Sequence, residues 1–215
     1  APQVHGAARD AIAFARQAAE TEANAGTDNP MVFADSGDII SGGNFHGAPV
    51  AMAADLLAIG VTHLATIAER RTDRLMNPAL SDLPPFLSRD SGLHSGFMMA
   101  QVASAALASE LKTLAHPASV DTIPTSASRE DHVSMSMGAA LKAARAVDLT
   151  ARVLAIEILC ACQALDLLAP LETSPRLATV HARVRKAVAT LSDDRPPAPD
   201  IEILADLITR GDLAI

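Results

Sequence analysis

Apolar positions along the chain recur mostly at helical spacing, which predicts a succession of α-helices. The predicted helices cover about residues 4–25, 48–76, 96–114, 129–168, 174–191 and 201–209. The fourth of these would be about 60 Å long at 1.5 Å per residue, well beyond an ordinary globular helix. The second is apolar on nearly every side through Ile67, so it has to be buried in a bundle or in a subunit interface.

Turn signals separate these helices, and one short segment has a pattern that predicts β-strands instead of a helix. The strings TDNP (27–30), LPPF (83–86) and DDRPPAPD (193–200) predict turns and connectors. The apolar runs MVF and II flank ADSGD between Met31 and Gly43 and predict one small β-hairpin. The predicted fold class is therefore all-α, a bundle of very long helices with one small hairpin.

Composition and charge exclude several function classes. Of the 215 residues 49% are hydrophobic but only 2% are aromatic, with no Trp and no Tyr. This mixture favours packed helices over β architectures, and it offers no aromatic platform for single-stranded nucleic acid. The formal net charge of −8 also argues against a nucleic-acid partner, whose binding face would be basic.

The cysteines and the apolar stretches indicate the cellular location that we expect for the protein. Cys160 and Cys162 lie two residues apart in a helical segment, so we expect core residues rather than a disulfide framework or a zinc site. The first ten residues lack the pattern of a signal peptide. The longest uncharged stretch, Ser91 to Ser109, is broken by polar residues and predicts no membrane span. A cytoplasmic protein is therefore expected.

Three loop segments hold more glycine, histidine and polar residues than turns require: SGGNFHGAPV (41–50), SGLHSGFMMAQ (91–101) and HPASVDTIPTSASREDHVSM (116–135). Together with ERR, LPPFL and LAIEILCACQALD they resemble the aromatic amino acid ammonia-lyases and aminomutases, and within that family the histidine ammonia-lyases. The resemblance covers about residues 2–170. It implies that residues 1–170 are the C-terminal part of the helical-bundle domain, including active-site loops, and that 171–215 form a helical tail.

The resemblance implies non-oxidative elimination of ammonia from L-histidine to give urocanate, a step of histidine catabolism. In this family the reaction uses MIO, a methylidene-imidazolone ring formed from an Ala-Ser-Gly tripeptide, and no metal. The printed sequence contains no Ala-Ser-Gly. MIO and a catalytic Tyr would therefore come from an N-terminal portion of the same enzyme, and we expect the isolated chain to be inactive. The family also implies assembly into a homotetrameric helical core.

Two residues match the family's site, and a third lies beside them. Phe45 in GNFHG matches the Phe that packs against the substrate ring and MIO, and Glu130 in REDHVSM matches the Glu that faces the imidazole. A carboxylate accepts a hydrogen bond from an imidazole N–H and stabilises a charged ring. His46 is a further candidate for lining the pocket. Without the motif, Phe45 would be interpreted as a core residue and Glu130 as an acid at a helix N-terminus.

The chain departs from the family pattern at three positions. Ser128 and Arg129 stand where Asn-Gln or a similar pair is usual, and His94 stands where Asn is common. Arg129 would favour the ionised form of Glu130 if the two side chains approach, and we expect His94 to be a structural, hydrogen-bonded residue. Two alternatives stay open: a tyrosine or phenylalanine ammonia-lyase or aminomutase, and a non-catalytic helical assembly module.

Overall fold

The computed structural model describes residues 1–214, and within them the chain is mainly helical. The elements are α1 (Pro2–Ala23), β1 (Met31–Phe33), β2 (Asp38–Ile40), α2 (Ala48–Met76), α3 (Met98–Leu114), α4 (Ser136–Leu167), α5 (Pro175–Ala187) and α6 (Ala198–Arg210). The two strands pair antiparallel, with Met31 opposite Ile40 and Phe33 opposite Asp38. The predicted all-α class with one small hairpin is confirmed.

One predicted boundary is wrong in a way that affects the candidate site. The fourth helix was expected to begin at residue 129, but α4 begins at Ser136 and runs for 32 residues, roughly 48 Å. Met135 has a φ of +58°, a left-handed conformation that a right-handed helix cannot contain. Glu130 therefore lies in a loop, and the interpretation as an acid in the first turn of that helix does not hold.

Smaller differences occur at the C-terminal helices. The fifth helix was expected to extend to residue 191, but α5 ends at Ala187 because Val188 is extended (φ −132°, ψ 120°). At its start, the Ser174 hydroxyl accepts a hydrogen bond from the Leu177 N–H and Pro175 occupies the first turn, as capping rules favour. Helix α6 begins at Ala198 rather than at 201 and ends before Gly211, whose φ is +78°.

The packing of the chain divides it into two compact units. The first comprises residues 1–63 and 112–147, and its buried side chains are mostly alanines from α1, α2 and α4. Gly60 shows how closely helices approach here, because a Cβ at this position would lie 3.0 Å from the Ala11 Cβ. Small residues thus allow α1 to pack directly against α2.

The second unit comprises residues 64–111 and the described residues from 148 onward. Its core is built from larger side chains, among them Leu87, Leu159, Val184 and Leu204, all fully buried. Cys160 and Cys162 are free and buried, as expected. Burial raises the pKa of both thiols, that of Cys162 to about 11. The boundaries between the units fall within α2, α3 and α4, and the division at residue 170 stays a prediction.

Helix α2 carries the most apolar stretch of the chain. Within residues 1–214 it alone is long and apolar enough to cross a membrane, with a mean hydropathy of 1.7 in its best window. Of that window 44% is buried inside the protein. The helix also buries the charged side chains of Asp55 and Glu69. Length and composition alone do not distinguish a membrane span from the core helix of a folded protein.

Candidate active site

The sequence-predicted site residues lie on two loops that each lead into a helix. Phe45 and His46 directly precede α2, and Glu130 lies six residues before α4. All three side chains are exposed, with 52% of the Phe45 surface accessible. They belong to the same compact unit. We call residues 41–47 the Phe45 loop and residues 116–135 the Glu130 loop.

Polar contacts to the preceding turn hold the Phe45 loop. The Asn29 side-chain oxygen accepts hydrogen bonds from the Ser41 hydroxyl at 2.9 Å and from the Gly42 N–H at 3.2 Å. The Asn44 amide donates to the Gly26 carbonyl at 3.3 Å. The loop ends at Gly47, whose φ of +77° favours glycine and whose carbonyl accepts the first helical hydrogen bond of α2.

The Glu130 loop contains a tight, strained turn. Ser126, Ala127 and Ser128 all have left-handed φ values, between +53° and +64°. The turn is closed by two backbone hydrogen bonds between Thr125 and Glu130, with N–O distances of 2.9 and 3.3 Å. Non-glycine residues in this region cost free energy, and such residues cluster at functional sites where the surrounding structure maintains them. The backbone of Glu130 is therefore held in a defined position.

A buried carboxylate anchors the beginning of the same loop. Asp55 on α2 accepts hydrogen bonds from the backbone N–H groups of Ala118 and Ser119. Burial by itself would raise the pKa of Asp55, but these hydrogen bonds and the charge of Lys142 outweigh it and lower the pKa. Sequence analysis missed this residue. The available signal was a lone acidic residue inside the apolar run of α2.

The two loops meet at a pair of histidines. The His46 Nε2 lies 2.7 Å from the His132 carbonyl oxygen, and the two rings are 5.7 Å apart between centroids. Gly47 lies against the start of α4, directly after the Glu130 loop, since a Cβ at Gly47 would be 2.9 Å from the Ser136 hydroxyl. The structure thus joins the loops that carry Phe45 and Glu130, and sequence analysis did not foresee the role of His132.

The Glu130 carboxylate is available to a ligand. Among residues 1–214 no Lys, Arg or His forms an ion pair with it, and Arg129 beside it is not in contact with its carboxylate. The condition under which Arg129 was expected to favour the ionised form is therefore not met. An exposed carboxylate on a hydrogen-bonded turn can accept hydrogen bonds from a bound N–H group.

His94, the third departure from the family pattern, lies in the other compact unit beside two acids. Its ring nitrogens lie 3.9 Å from an Asp193 oxygen and 4.0 Å from an Asp194 oxygen. Asp194 also accepts hydrogen bonds from the N–H groups of Ser95 and Gly96, which lower its pKa. Asp194 thus holds the loop beside His94. The two ring distances are too long for hydrogen bonds, so the expected hydrogen-bonded role of His94 stays a prediction.

In residues 1–214, no group of three or more His, Cys, Asp or Glu side chains has a geometry that could hold a metal ion. Polar groups of the Phe45 and Glu130 loops form hydrogen bonds with side-chain and backbone atoms of the chain. The exposed Glu130 carboxylate and Phe45 ring can offer a ligand a hydrogen-bond acceptor and an apolar surface.

A sequence model of the aromatic amino acid lyase family matches residues 1–186. The chain belongs to this family. The resemblance inferred from the loop motifs is thereby confirmed, and the match includes both the Phe45 loop and the Glu130 loop.

Individual family members are similar along nearly the whole chain. A histidine ammonia-lyase of Anaeromyxobacter sp. (strain K) is 59% identical over 214 residues, which are 100% of this chain and 42% of that protein. The crystal structure of histidine ammonia-lyase from Trypanosoma cruzi superposes with a TM-score of 0.92 at 47% identity, covering 99% of this chain and 42% of that one. Tyrosine aminomutase from Streptomyces globisporus has a TM-score of 0.91 at 41% identity, covering 99% of this chain and 40% of that one. The chain spans about 42% of the length of the curated relatives it matches.

Proposed function

We propose that this chain is part of a histidine ammonia-lyase, which removes the α-amino group and a β-proton of L-histidine to give urocanate and ammonia. The observation that carries the proposal is the Glu130 carboxylate, exposed on a turn closed by two backbone hydrogen bonds and without a cationic partner among residues 1–214. The family membership supports the reaction class, and the identity to histidine ammonia-lyases supports the substrate.

Glu130 supplies recognition of the substrate side chain. An imidazole has two nitrogens, and a carboxylate accepts a hydrogen bond from an N–H of the neutral ring and a stronger one from the cation. Such a charge-assisted bond contributes about 1.5–3 kcal/mol. The phenyl ring of phenylalanine has no N–H, and the phenol of tyrosine has one O–H and no positive charge. The carboxylate therefore favours histidine over either relative.

Phe45 supplies an apolar surface for a flat ring. The residue is about half exposed, so it is accessible to a ligand or to MIO. In this family MIO supplies the electrophile for the elimination. The residues of this chain fit a packing role towards MIO but cannot form it, because the printed sequence lacks Ala-Ser-Gly. We propose that MIO belongs to another part of the complete enzyme and that this chain alone is inactive.

His46 is the third proposed site residue. The His132 carbonyl occupies its Nε2, which leaves the Nδ1 edge of the ring for a contact with the substrate. Nδ1 can accept a hydrogen bond when the ring is neutral or donate one when it is charged.

We also propose a homotetramer and a cytoplasmic location. Exposed apolar side chains support assembly: Met52 is 63% exposed on α2, and Met137 and Leu141 are 72% and 65% exposed one helical turn apart on α4. An apolar cavity of about 490 Å³ lies in the same compact unit, lined by alanines and by Val50, Leu57 and Val147. Apolar surface of this extent favours burial against another subunit. The free cysteines are compatible with a reducing compartment.

The similarity to tyrosine aminomutase favours a second candidate, an enzyme acting on tyrosine or phenylalanine. The TM-scores of 0.92 and 0.91 do not separate the two candidates, so the comparison of substrates has to decide between them. Incubating the complete enzyme with L-histidine, L-tyrosine and L-phenylalanine tests the proposal. We expect urocanate absorbance from histidine alone; elimination or isomerisation of the other two amino acids without urocanate would contradict it, and inactivity towards all three would favour the assembly module.

A further inference from the structure

We infer that His46 is a positioning residue: its Nε2–H donates to the His132 carbonyl and thereby holds the Phe45 loop against the Glu130 loop. The inference deepens the proposed function, because it rests on Phe45 and Glu130 as substrate-contacting residues. It assigns to His46 a role that acts through the backbone of a second loop.

The acceptor determines which nitrogen of the His46 imidazole carries a proton. A backbone carbonyl oxygen only accepts hydrogen bonds, so at 2.7 Å the His46 Nε2 has to carry the proton. This holds for the neutral ring with its proton on Nε2 and equally for the charged ring, where both nitrogens are protonated. The contact is therefore present in either protonation state, and Nε2 is not available as a general base.

Further contacts lie near this hydrogen bond, where the residues before α2 meet the residues before α4. A Cβ at Gly47, the next residue, would lie 2.9 Å from the hydroxyl of Ser136, the first residue of α4, and 3.5 Å from the hydroxyl of Ser134 in the Glu130 loop. On the other side, the Thr122 hydroxyl accepts a hydrogen bond from the Val133 N–H at 2.7 Å. The segment after Glu130 is thus held between its own loop and the start of α2.

Both residues of this hydrogen bond lie close in sequence to a proposed substrate-contacting residue. His46 follows Phe45 directly and lies two residues before α2, while His132 lies two residues after Glu130 and four before α4. One hydrogen bond thus links two helix entries that are 86 residues apart in sequence. Without it, the segment from Glu130 to α4 would lose a long-range restraint on its position relative to the Phe45 loop.

The test uses four variants of the complete enzyme. His46→Leu removes the donor at similar size, whereas His46→Gln keeps an amide N–H where the imidazole Nε2 lies. His46→Asn keeps an amide that is too short to reach the His132 carbonyl. His132→Ala is the matched control, because the acceptor belongs to the backbone and survives the truncation. Hydrogen exchange of peptides covering residues 130–136 is measured together with kcat and KM for L-histidine.

We expect His46→Leu to speed exchange in residues 130–136 and to lower kcat/KM, each by about tenfold, the effect of losing one hydrogen bond. His46→Gln, which keeps the donor to the His132 carbonyl, should stay near wild type in hydrogen exchange, and His132→Ala should stay near wild type in both exchange and kcat/KM. Unchanged exchange in His46→Leu would overturn the inference, and so would exchange in His46→Gln as fast as in His46→Leu, since an amide donor would then not replace the imidazole. If His46→Leu does not fold, His46→Asn takes its place. His46→Asn should then exchange faster in residues 130–136 than His46→Gln, and equal exchange rates would overturn the inference. A wild type that does not form urocanate would contradict the proposed function, while the exchange result would still test the hydrogen bond.

Discussion

The carboxylate of Asp55 lies 2.7 Å from the backbone nitrogen of Ser119, across 64 positions of sequence. Its other oxygen accepts from the Ala118 N–H at 3.0 Å, and the side chain is only 4% exposed. A buried charge of this kind is stable only when hydrogen bonds satisfy it. Helix α2 therefore fixes the beginning of the Glu130 loop as well as carrying the Phe45 loop at its N-terminal end.

Substituting Asp55→Asn should destabilise this loop. The amide has one oxygen to offer where two N–H donors now point, and its own NH₂ group would face one of them. We expect the complete enzyme to lose about 2–3 kcal/mol of stability at neutral pH, the contribution of hydrogen bonds to a charged group. Denaturant unfolding together with hydrogen exchange of residues 116–121 measures it. Asp10→Asn on the exposed face of α1 is the control, and equal losses in both variants would contradict the anchor.

The same anchor predicts a pH dependence. Because the pKa of Asp55 is lowered in the folded protein, its carboxylate stabilises the fold at pH values above its unfolded pKa of about 3.9. That contribution is lost as the pH falls through the lower pKa of the folded state. The stability difference between wild type and Asp55→Asn should be constant above about pH 5 and shrink below about pH 4. A difference that is independent of pH down to acid unfolding would argue against an ionised Asp55.

Gln163 makes a comparable link in the other compact unit. Its Nε2 donates to the Leu191 carbonyl at 2.9 Å and its Oε1 accepts from the Leu191 N–H at 3.1 Å, with 2% of the residue exposed. Glutamate cannot donate when ionised, so Gln163→Glu would leave a buried carbonyl unpaired and bury a charge. We expect a loss of about 2–4 kcal/mol, read as a lower thermal midpoint. Gln17→Glu on exposed α1 should leave the midpoint nearly unchanged; a similar drop there would refute the assignment.

Two glycines should respond to alanine in opposite directions. Gly96 has a φ of +56°, and a Cβ there would lie 2.5 Å from the Phe86 carbonyl oxygen. Gly96→Ala should therefore cost about 3 kcal/mol through the clash and the left-handed backbone. Gly138 lies within α4 with nothing within 4 Å of an added Cβ. Gly138→Ala should stabilise the protein by about 0.5–1 kcal/mol, and calorimetry of both variants checks the contrast.

The sequence predicts the helices well because their signals are local. The second helix was expected over residues 48–76, which are its observed bounds, since an uninterrupted apolar run followed by charges and a proline determines both ends. The loop motifs likewise identify Phe45 and Glu130 as candidates. These signals require no knowledge of which segments meet in space.

The sequence places the start of α4 seven residues too early, because the segment REDHVSM contains neither glycine nor proline and its pattern predicts a helix. Residues 126–128 before this segment and Met135 at its end are left-handed. Between them, Val133 contacts Thr122 within the loop, and His132 contacts His46, 86 positions away. The roles of Asp55 and His132 depend on partners more than 60 residues away in the chain. No local pattern encodes such a contact.

The central claim is that the Glu130 carboxylate recognises an imidazole. It is tested most directly by kcat/KM of the complete enzyme for L-histidine, followed by urocanate absorbance, in Glu130→Gln beside Glu172→Gln. Glu172 is exposed after α4, so its substitution repeats the chemical change away from the candidate site. We expect Glu130→Gln to lower kcat/KM by about 10- to 100-fold, the loss of one charge-assisted hydrogen bond, and Glu172→Gln to match wild type. Unchanged turnover of histidine by Glu130→Gln would contradict the account.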